Sequence, residues 1–512
     1  VSPRTASSAP VTLIPFDAGI EVPAYRQICD SLREAIVSGR VAAGAHLPGT
    51  RLLAEELGVS RNTVNSALAQ LRAEGYVIAR PRSGTFVNER LPDTTLPVPW
   101  RRPPAERPHA GGAAPRVTGR RARYSARSAI LARLPLAAGR SLVQPARPFQ
   151  TGVPALDAFP WALWARLLSR HTRKSGWALS GYGSVLGFDP LREAIAAYVA
   201  AARGARCEAA QVVITSGAQQ GLDLVARVLV DPGDAVWLED PGYPAARGVF
   251  AAAGARVIPV AIDGEGIRIP AAGRGRSAPR LVHVTPSRQF PTGVTMSAAR
   301  RFQLLRWADA ADAWIVEDDY DSEFRYASRP LSCLQGLDES GRVLYVGTFS
   351  KTVFPGLRLG YLIAPLSLVE ALGEARAVAD RQPPGLEQAV LAEFIAAGHL
   401  ARHVRRMRGL YEERRDALLA AAATELGDRL EFGDTAAGML ALAWLPRGVD
   451  DGETARRLLA AGVESSPLSS YAIRPLPRGG LLLGYAGFPP DALRAAVRRL
   501  GAVLGGRPRR TA

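Results

Sequence analysis

Lysine is almost missing from this chain: of its 64 basic residues, only Lys174 and Lys351 are lysines. Arginine can stand in for lysine as surface charge, but its guanidinium stays protonated and is no nucleophile. A lysine amine can attack a carbonyl. The lysine kept in Thr348-Phe349-Ser350-Lys351 is therefore the first candidate for chemistry. Cysteine is also scarce. Cys29, Cys207 and Cys333 lie far apart, with no pairing or metal-ligand spacing, which argues against a disulfide framework or a zinc cluster and fits thiols in a reducing cytoplasm. No apolar run approaches the length of a membrane span, and Val1 to Pro10 lacks the apolar core of a signal peptide. Neither a membrane partner nor a metal is expected.

What is present is positive charge, unevenly spread. The 512 residues, enough for more than one domain, carry a formal charge of +17. Residues 1–90 hold ten Arg and eight acids, whereas residues 91–148 hold eleven Arg and two acids. That second stretch is dense in Pro and Gly (Pro97, Pro99, Pro103, Pro104, Gly111, Gly112) and reads as a linker. It is either a tether or an extra set of phosphate contacts on DNA. The expected organisation is a tail over 1–21, a small module over 22–88, the linker over 89–148 and a large domain over 149–512.

In the small module, Ile28, Leu32, Ala35 and Ile36 fall at helical spacing between Val22 and Ser38, and Arg51 to Leu57 forms a second helix. Gly58-Val59 turns the chain, and Ser60 is placed to cap a third helix. Val64, Ala67, Leu68 and Leu71 give that helix an inward face, leaving Arg61, Asn62 and Asn65 outward near its start. A helix-turn-helix presents these positions to base edges; Asn reads adenine and Arg reads guanine. The amides at Ser60–Asn62 suit a phosphate. Val77–Arg80 and Thr85–Val87 read as strands around a Pro81-Arg82-Ser83-Gly84 turn, a wing that aims Arg80 and Arg82 at the DNA backbone or minor groove. This run, from Leu47-Pro48-Gly49-Thr50-Arg51 to Gly84-Thr85-Phe86-Val87, resembles the winged helix-turn-helix of the GntR family. The resemblance implies Arg51, Arg61, Thr63 and Gly84 as DNA contacts.

From about residue 149 strand and helix patterns alternate. Val212–Thr215, Ala235–Leu238, Leu281–Val284, Trp314–Val316 and Val343–Val346 read as strands, with helices such as Leu222–Val230 and Ser297–Ala311 between them. This is an α/β domain with a mostly parallel sheet, whose ligands bind in loops at strand ends. Those loops carry Ser216-Gly217-Ala218-Gln219 at a helix start, Tyr243 after Asp240-Pro241-Gly242, the acids of Glu317-Asp318-Asp319-Tyr320-Asp321, and then Lys351. A phosphate cup, a flat aromatic, a carboxylate and a lysine together suit pyridoxal 5'-phosphate.

The segment resembles the fold-type I (aspartate aminotransferase-like) proteins, with a mostly parallel sheet and a smaller C-terminal α+β subdomain. Joined to the GntR-like module, the chain resembles the MocR-type transcriptional regulators. The resemblance implies that Lys351 forms the Schiff base, Asp318 pairs with the pyridine nitrogen and Tyr320 lies near the ring hydroxyl. Tyr243 would stack on the ring. Ala218 and Gln219 (through their backbone), Thr348, Ser350 and Arg358 would hold the phosphate. Tyr182 would reach the phosphate of the neighbouring subunit, which implies a homodimer and leaves open whether its chains exchange domains. The implied partners are a double-stranded DNA operator and a small-molecule effector, in a bacterial cytoplasm.

Two departures from the aminotransferase pattern bear on activity. Phe290, in Gln289-Phe290-Pro291-Thr292-Gly293, stands where catalytic members have an Asn that bonds the ring hydroxyl. Leu482, in Leu481-Leu482-Leu483-Gly484-Tyr485, stands where they carry the Arg that clamps a substrate α-carboxylate. The expected function is a sensor-regulator whose effector is pyridoxal phosphate itself or an amine anchored differently, with Arg247 as the candidate anchor. The alternatives are a functional aminotransferase with an attached DNA-binding module and a structural DNA-binding protein.

Overall fold

The computed structural model describes residues 22–81, 83–91, 125, 127–128, 146–270, 278–326 and 332–505. The chain divides into two compact units, Val1–Arg120 and Arg121–Ala512. The expected tail over 1–21, most of the expected linker, and Arg82 of the wing turn lie outside the described residues.

In the first unit three helices, α1 (Ala24–Val37), α2 (Thr50–Leu57) and α3 (Arg61–Ala73), precede an antiparallel hairpin of β1 (Val77–Arg80) and β2 (Gly84–Val87). The expected inward residues are the ones buried: Ile28, Leu32 and Ile36 of α1 pack with Leu53 of α2 and Val64, Leu68 and Leu71 of α3. Gly58 ends α2 in the left-handed conformation at φ 65°, which Gly adopts without a Cβ clash. Ser60 caps α3 as expected, accepting the Thr63 amide at 3.1 Å.

The second unit is built on an eight-stranded sheet. Its strands are β3 (Val212–Thr215), β4 (Ala235–Asp240), β5 (Arg256–Asp263), β6 (Gly266–Ile267), β7 (Leu281–Val284), β8 (Trp314–Asp319), β9 (Val343–Thr348) and β10 (Gly360–Ile363), in the spatial order β3-β10-β9-β8-β7-β4-β5-β6. The pairs from β5 through β4, β7 and β8 to β9 are parallel. β10 runs antiparallel to both neighbours, so β3 points the same way as β9. Helices cover both faces, which is why β3 is buried at every position: Val212 and Ile214 face one apolar cluster and Val213 the other.

A smaller sheet of β11 (Glu431–Phe432), β12 (Leu440–Trp444), β13 (Ser466–Pro467) and β14 (Gly480–Gly484) forms the C-terminal subdomain, in the order β11-β12-β14-β13. It is backed by the Pro490–Gly505 helix and the 28-residue His399–Leu426 helix.

Three strands run further than the apolar pattern indicates. β4 continues to Asp240, β8 to Asp319 and β9 to Thr348; within these extensions Glu239, Asp318 and Asp319 are buried and partnered by Thr285, His283 and Arg203. Asp318 therefore sits inside a strand, not after it. The helix that carries the Leu222–Val230 pattern starts at Ala218, within the loop that the sequence reads as its opening.

Candidate functional site

β3, β4, β8 and β9 end at one edge of the large sheet, and the residues expected at the site gather there. Lys351 follows β9, and its Nζ donates to the Gly152 carbonyl at 3.0 Å. Burial holds the amine below the ordinary lysine range; Asp321 opposes that shift and Arg358 adds to it. Gly152 was not singled out by the sequence. It has φ +80°, and a Cβ there would stand 3.0 Å from Lys351 Nζ. The only sequence signal was the Thr151-Gly152-Val153-Pro154 turn chemistry.

Asp318 is buried on β8, with one carboxylate oxygen 3.4 Å from His283 Nε2 and the other, Oδ1, without a hydrogen-bond partner. A buried carboxylate oxygen left unbonded is costly, and it fits a protonated ring nitrogen. Tyr320 follows β8. Its hydroxyl is buried without a partner of good geometry, although the Arg288 guanidinium lies close enough to act on its charge. Tyr243 stands just before the Pro244–Ala252 helix, and burial pushes its hydroxyl up to about 12.

The β3 loop makes a cup. Gly217 precedes the Ala218–Leu229 helix and offers no side-chain cap, so the first-turn amides, Ala218 and Gln219 among them, lack intrahelical partners. The Gln219 side chain turns away, donating to the Ala245 carbonyl at 3.3 Å. Arg358, at φ 52°, donates to the Ser216 carbonyl at 2.8 Å and closes over Gly217, where a Cβ would lie 3.1 Å from its guanidinium. Thr348 donates through Oγ1 to Ser350 Oγ at 3.0 Å on the facing loop. Unbonded amides at a helix start beside an arginine form an anion site. An unbonded Asp318 oxygen, a lysine shifted toward its neutral form and this cup together fit pyridoxal phosphate.

The two departures meet in space. Phe290 stands edge-on to Tyr243, Tyr320 and Tyr471, with ring centroids 5.8, 5.7 and 5.2 Å apart. It packs against an apolar cluster of Leu440, Leu442, Leu468 and Leu482. Leu482 pairs with Leu442 across β12 and is fully buried. Arg247 lines a narrow space behind Tyr243 with Glu239 and His283, and its Nε is buried without a partner. Tyr182 is 85% exposed and lies under the Arg381 guanidinium, 4.5 Å from it, so within one chain it faces away from the core.

Asp321 gives a pH test. Burial raises its carboxyl to about 6, opposed first by Arg288, whose Nη1 lies 3.7 Å away. The folded value stands above the ordinary 3.8. Its stabilising contribution is therefore complete below 3.8 and is lost as pH rises through about 6. Asp321→Asn should gain on the parent chain by about 3 kcal/mol between about pH 4 and about pH 8, at 1.36 kcal/mol per unit over about two units. Urea unfolding of the cofactor-free proteins at both pH values measures this; a difference independent of pH would show that Asp321 titrates normally.

In the first unit Arg61, Asn62 and Asn65 are accessible on α3. Thr63 is already engaged by Ser60, through its amide and through a 2.8 Å hydroxyl contact. Arg51 pairs with Glu55 at 3.2 Å on the surface. Arg80 lies over the Phe86 ring at 4.8 Å and 3.5 Å from Glu89, so part of its charge is met within the wing. Gly84 has φ +100°, and a Cβ would fall 2.4 Å from His46 Nε2. Close packing under the wing therefore requires glycine there. His46, which the sequence did not mark, bridges to Phe86.

Residues 156–500 match the aminotransferase class I and II family, and residues 24–87 match the bacterial regulatory proteins of the gntR family. The chain is 40% identical over 95% of both chains to a probable rhizopine catabolism regulatory protein, MocR, of Rhizobium meliloti. It is 36% identical to the HTH-type transcriptional regulator TauR of Rhodobacter capsulatus, over 92% of this chain and 94% of that one. Among solved structures, LysN of Thermus thermophilus, an α-aminoadipate aminotransferase complexed with N-(5'-phosphopyridoxyl)-L-leucine, aligns with a TM-score of 0.65 and 30% identity, covering 71% of this chain and 93% of LysN. A helix-turn-helix with a glycine-pinned wing and a lysine-bearing phosphate cup thus occur on one chain, which belongs to the MocR-type transcriptional regulators, GntR-family DNA-binding modules joined to an aminotransferase-like domain that binds pyridoxal phosphate.

Proposed function

We propose that this cytoplasmic regulator senses a small molecule other than a conventional α-amino acid, at the pyridoxal phosphate site, and passes the signal to its DNA-binding module. Bound there, pyridoxal phosphate supplies an aldehyde for a primary amine and a ring that takes up electron density. Lys351 is the attachment point, and burial keeps its amine available as a nucleophile. Asp318 holds a proton at the pyridine nitrogen, and His283 steadies it from behind. Tyr320 would bond the ring hydroxyl and Tyr243 would stack on the ring. Ala218, Gln219, Thr348, Ser350 and Arg358 hold the phosphate. Exposed Tyr182 suits a role across a homodimer, reaching the neighbouring subunit's phosphate.

The observation that carries the effector reading is the packing of half-buried Phe290 against an apolar cluster that contains the fully buried Leu482. An α-carboxylate placed against Leu482 would lose water and gain no cation, a cost of several kcal/mol. Arg288 is held by its charge pairing with Asp321, 3.7 Å away, and by the Leu440 carbonyl at 2.7 Å, although its Nε and Nη1 make no hydrogen bond. The effector is then pyridoxal phosphate itself or an amine without that carboxylate, for which Arg247 is a second candidate anchor. On DNA, Arg61, Asn62 and Asn65 of α3 read base edges, while Arg51, Ser60, Thr63, Arg80, Arg82 and Gly84 position the backbone. The proposed domain limits are 22–88, 89–148 and 149–512.

Titrating the full-length protein with pyridoxal phosphate and then with a panel of common α-amino acids tests this. Footprinting of the adjoining intergenic DNA is followed in parallel. The expected result is a footprint that responds to the cofactor and cofactor absorbance that does not respond to the panel. Absorbance shifts with several α-amino acids, coupled to altered footprints, would refute the reading. Sustained turnover with an amino donor and a keto acid would favour a working aminotransferase instead.

A further inference from the structure

On the large unit, the Trp161–Ser175 helix buries Trp164 and Leu167. Its exposed side carries Arg166, Arg170, Arg173 and Lys174, at i, i+4, i+7 and i+8, so they share one face. With Glu393 and His399 they line an open groove of about 770 Å³. Glu393 is already taken by Arg170 and by His171, whose Nε2 lies 2.9 Å away. Among the described residues Arg166, Arg173 and Lys174 form no ion pair. His399 Nδ1 faces an Arg402 nitrogen at 3.0 Å and must accept from it, which leaves that histidine neutral. Burial and then Arg402, Arg166 and Arg170 push His399 down, and burial and then Arg170 and Lys174 push His171 down. Glu393 offsets this positive charge at Arg170 and His171, and among the described residues no carboxylate meets Arg166, Arg173 or Lys174. Cations in a last helical turn offset the helix dipole, which accounts for Arg173 and Lys174 but not for Arg166, two turns earlier.

We propose that this groove is a phosphate-binding surface for double-stranded DNA, separate from the helix-turn-helix, with Arg166, Arg173 and Lys174 as its contacts. From Arg166 to Lys174 the helix rises roughly 12 Å, matching the rise of three to four base pairs at about 3.4 Å each. The occupant is a polyanion because three exposed cations stand without carboxylates on a protein that already engages DNA. Such contacts add affinity and salt dependence, not sequence preference.

The test uses the full-length, cofactor-loaded protein and a mixed-sequence duplex of about 60 base pairs, with binding followed by anisotropy between about 50 and 200 mM NaCl. In the triple variant Arg166→Gln, Arg173→Gln and Lys174→Gln, all three sites are exposed, so folding should be unaffected. Its slope of log K against log salt should be shallower by about 2.7, at about 0.9 per phosphate. Across that range the parent then loses about 40-fold more affinity than the variant. The charge-keeping variant Arg166→Lys with Arg173→Lys should retain the parent's slope. Equal slopes for parent and triple variant overturn the proposal. So does dissociation of the triple variant to monomers in sedimentation, which would make the groove a subunit contact. A parent chain that binds no duplex at all would sink the DNA-binding reading as well.

Discussion

Replacing Lys351 with Ala should abolish covalent retention of pyridoxal phosphate. Borohydride reduction followed by peptide mass spectrometry should label the Lys351 peptide of the parent protein and nothing in the variant. The test is clean because Lys174 is the sole other lysine in the chain, and it lies exposed on the Trp161–Ser175 helix. Arg358, the β3 loop and Asp318 remain in place, so the variant should still bind the cofactor non-covalently, at least about tenfold more weakly, a loss of about 1.4 kcal/mol or more. The DNA footprint of the variant should no longer respond to the cofactor. Equal labelling of parent and variant would remove Lys351 from its role. The physical basis is the environment of the amine: half-buried, donating to the Gly152 carbonyl, and pushed by desolvation toward its neutral and nucleophilic form. Gly152→Ala is a milder probe of the same contact, because φ +80° and a Cβ 3.0 Å from Nζ disfavour any side chain there.

The second large effect is on stability. Arg203→Ala should cost 3–5 kcal/mol, the usual loss when one partner of a buried ion pair is removed (about 3–5 kcal/mol). Arg203 Nε donates to Asp319 Oδ2 at 2.8 Å, both side chains being almost wholly buried. The same oxygen accepts from Ser322 at 2.8 Å and from Tyr345 at 2.6 Å, and Arg203 also bonds Ser287. Deleting the guanidinium strands the Asp319 charge in the core beside Asp318, so the cofactor pocket should loosen along with the fold. Urea unfolding of the variant measures the loss. A cost under about 1 kcal/mol would show that water or neighbouring donors take over the carboxylate. Replacing both partners, Arg203→Met with Asp319→Leu, should recover much of the loss, because no charge is then left unpaired.

How far the sequence alone carries can be read from particular residues. Helical spacing placed the inward faces of α1 and α3 correctly, because burial on one side of a helix is written in the i, i+3, i+4 pattern itself. Ser60 as the cap of α3 was legible for a similar reason: capping is a contact three residues long. The order of strand-end loops was legible too, since apolar runs mark buried parallel strands. The polar ends of β4, β8 and β9 were not. Glu239, Asp318 and Asp319 are tolerated inside the fold only because partners distant in sequence meet them, such as Thr285, His283 and Arg203. Gly152 and His46 were missed for the same reason. Each matters through a contact with Lys351 or Gly84 that the chain makes only after folding.

The sequence by itself determined the chemistry available: a lysine that its arginine-rich composition does not explain, a carboxylate, an aromatic and a phosphate loop in a fixed order, and a winged helix-turn-helix. Local periodicity, capping and turn residues suffice for that, because each depends on neighbours a few positions away. Tertiary structure decided how those parts are used. It brought Phe290 and Leu482, nearly two hundred residues apart, into one apolar cluster. It left one oxygen of Asp318 unbonded. Burial and long-range pairing set the cost of a charge and the character of a wall, and neither quantity exists until the chain has folded.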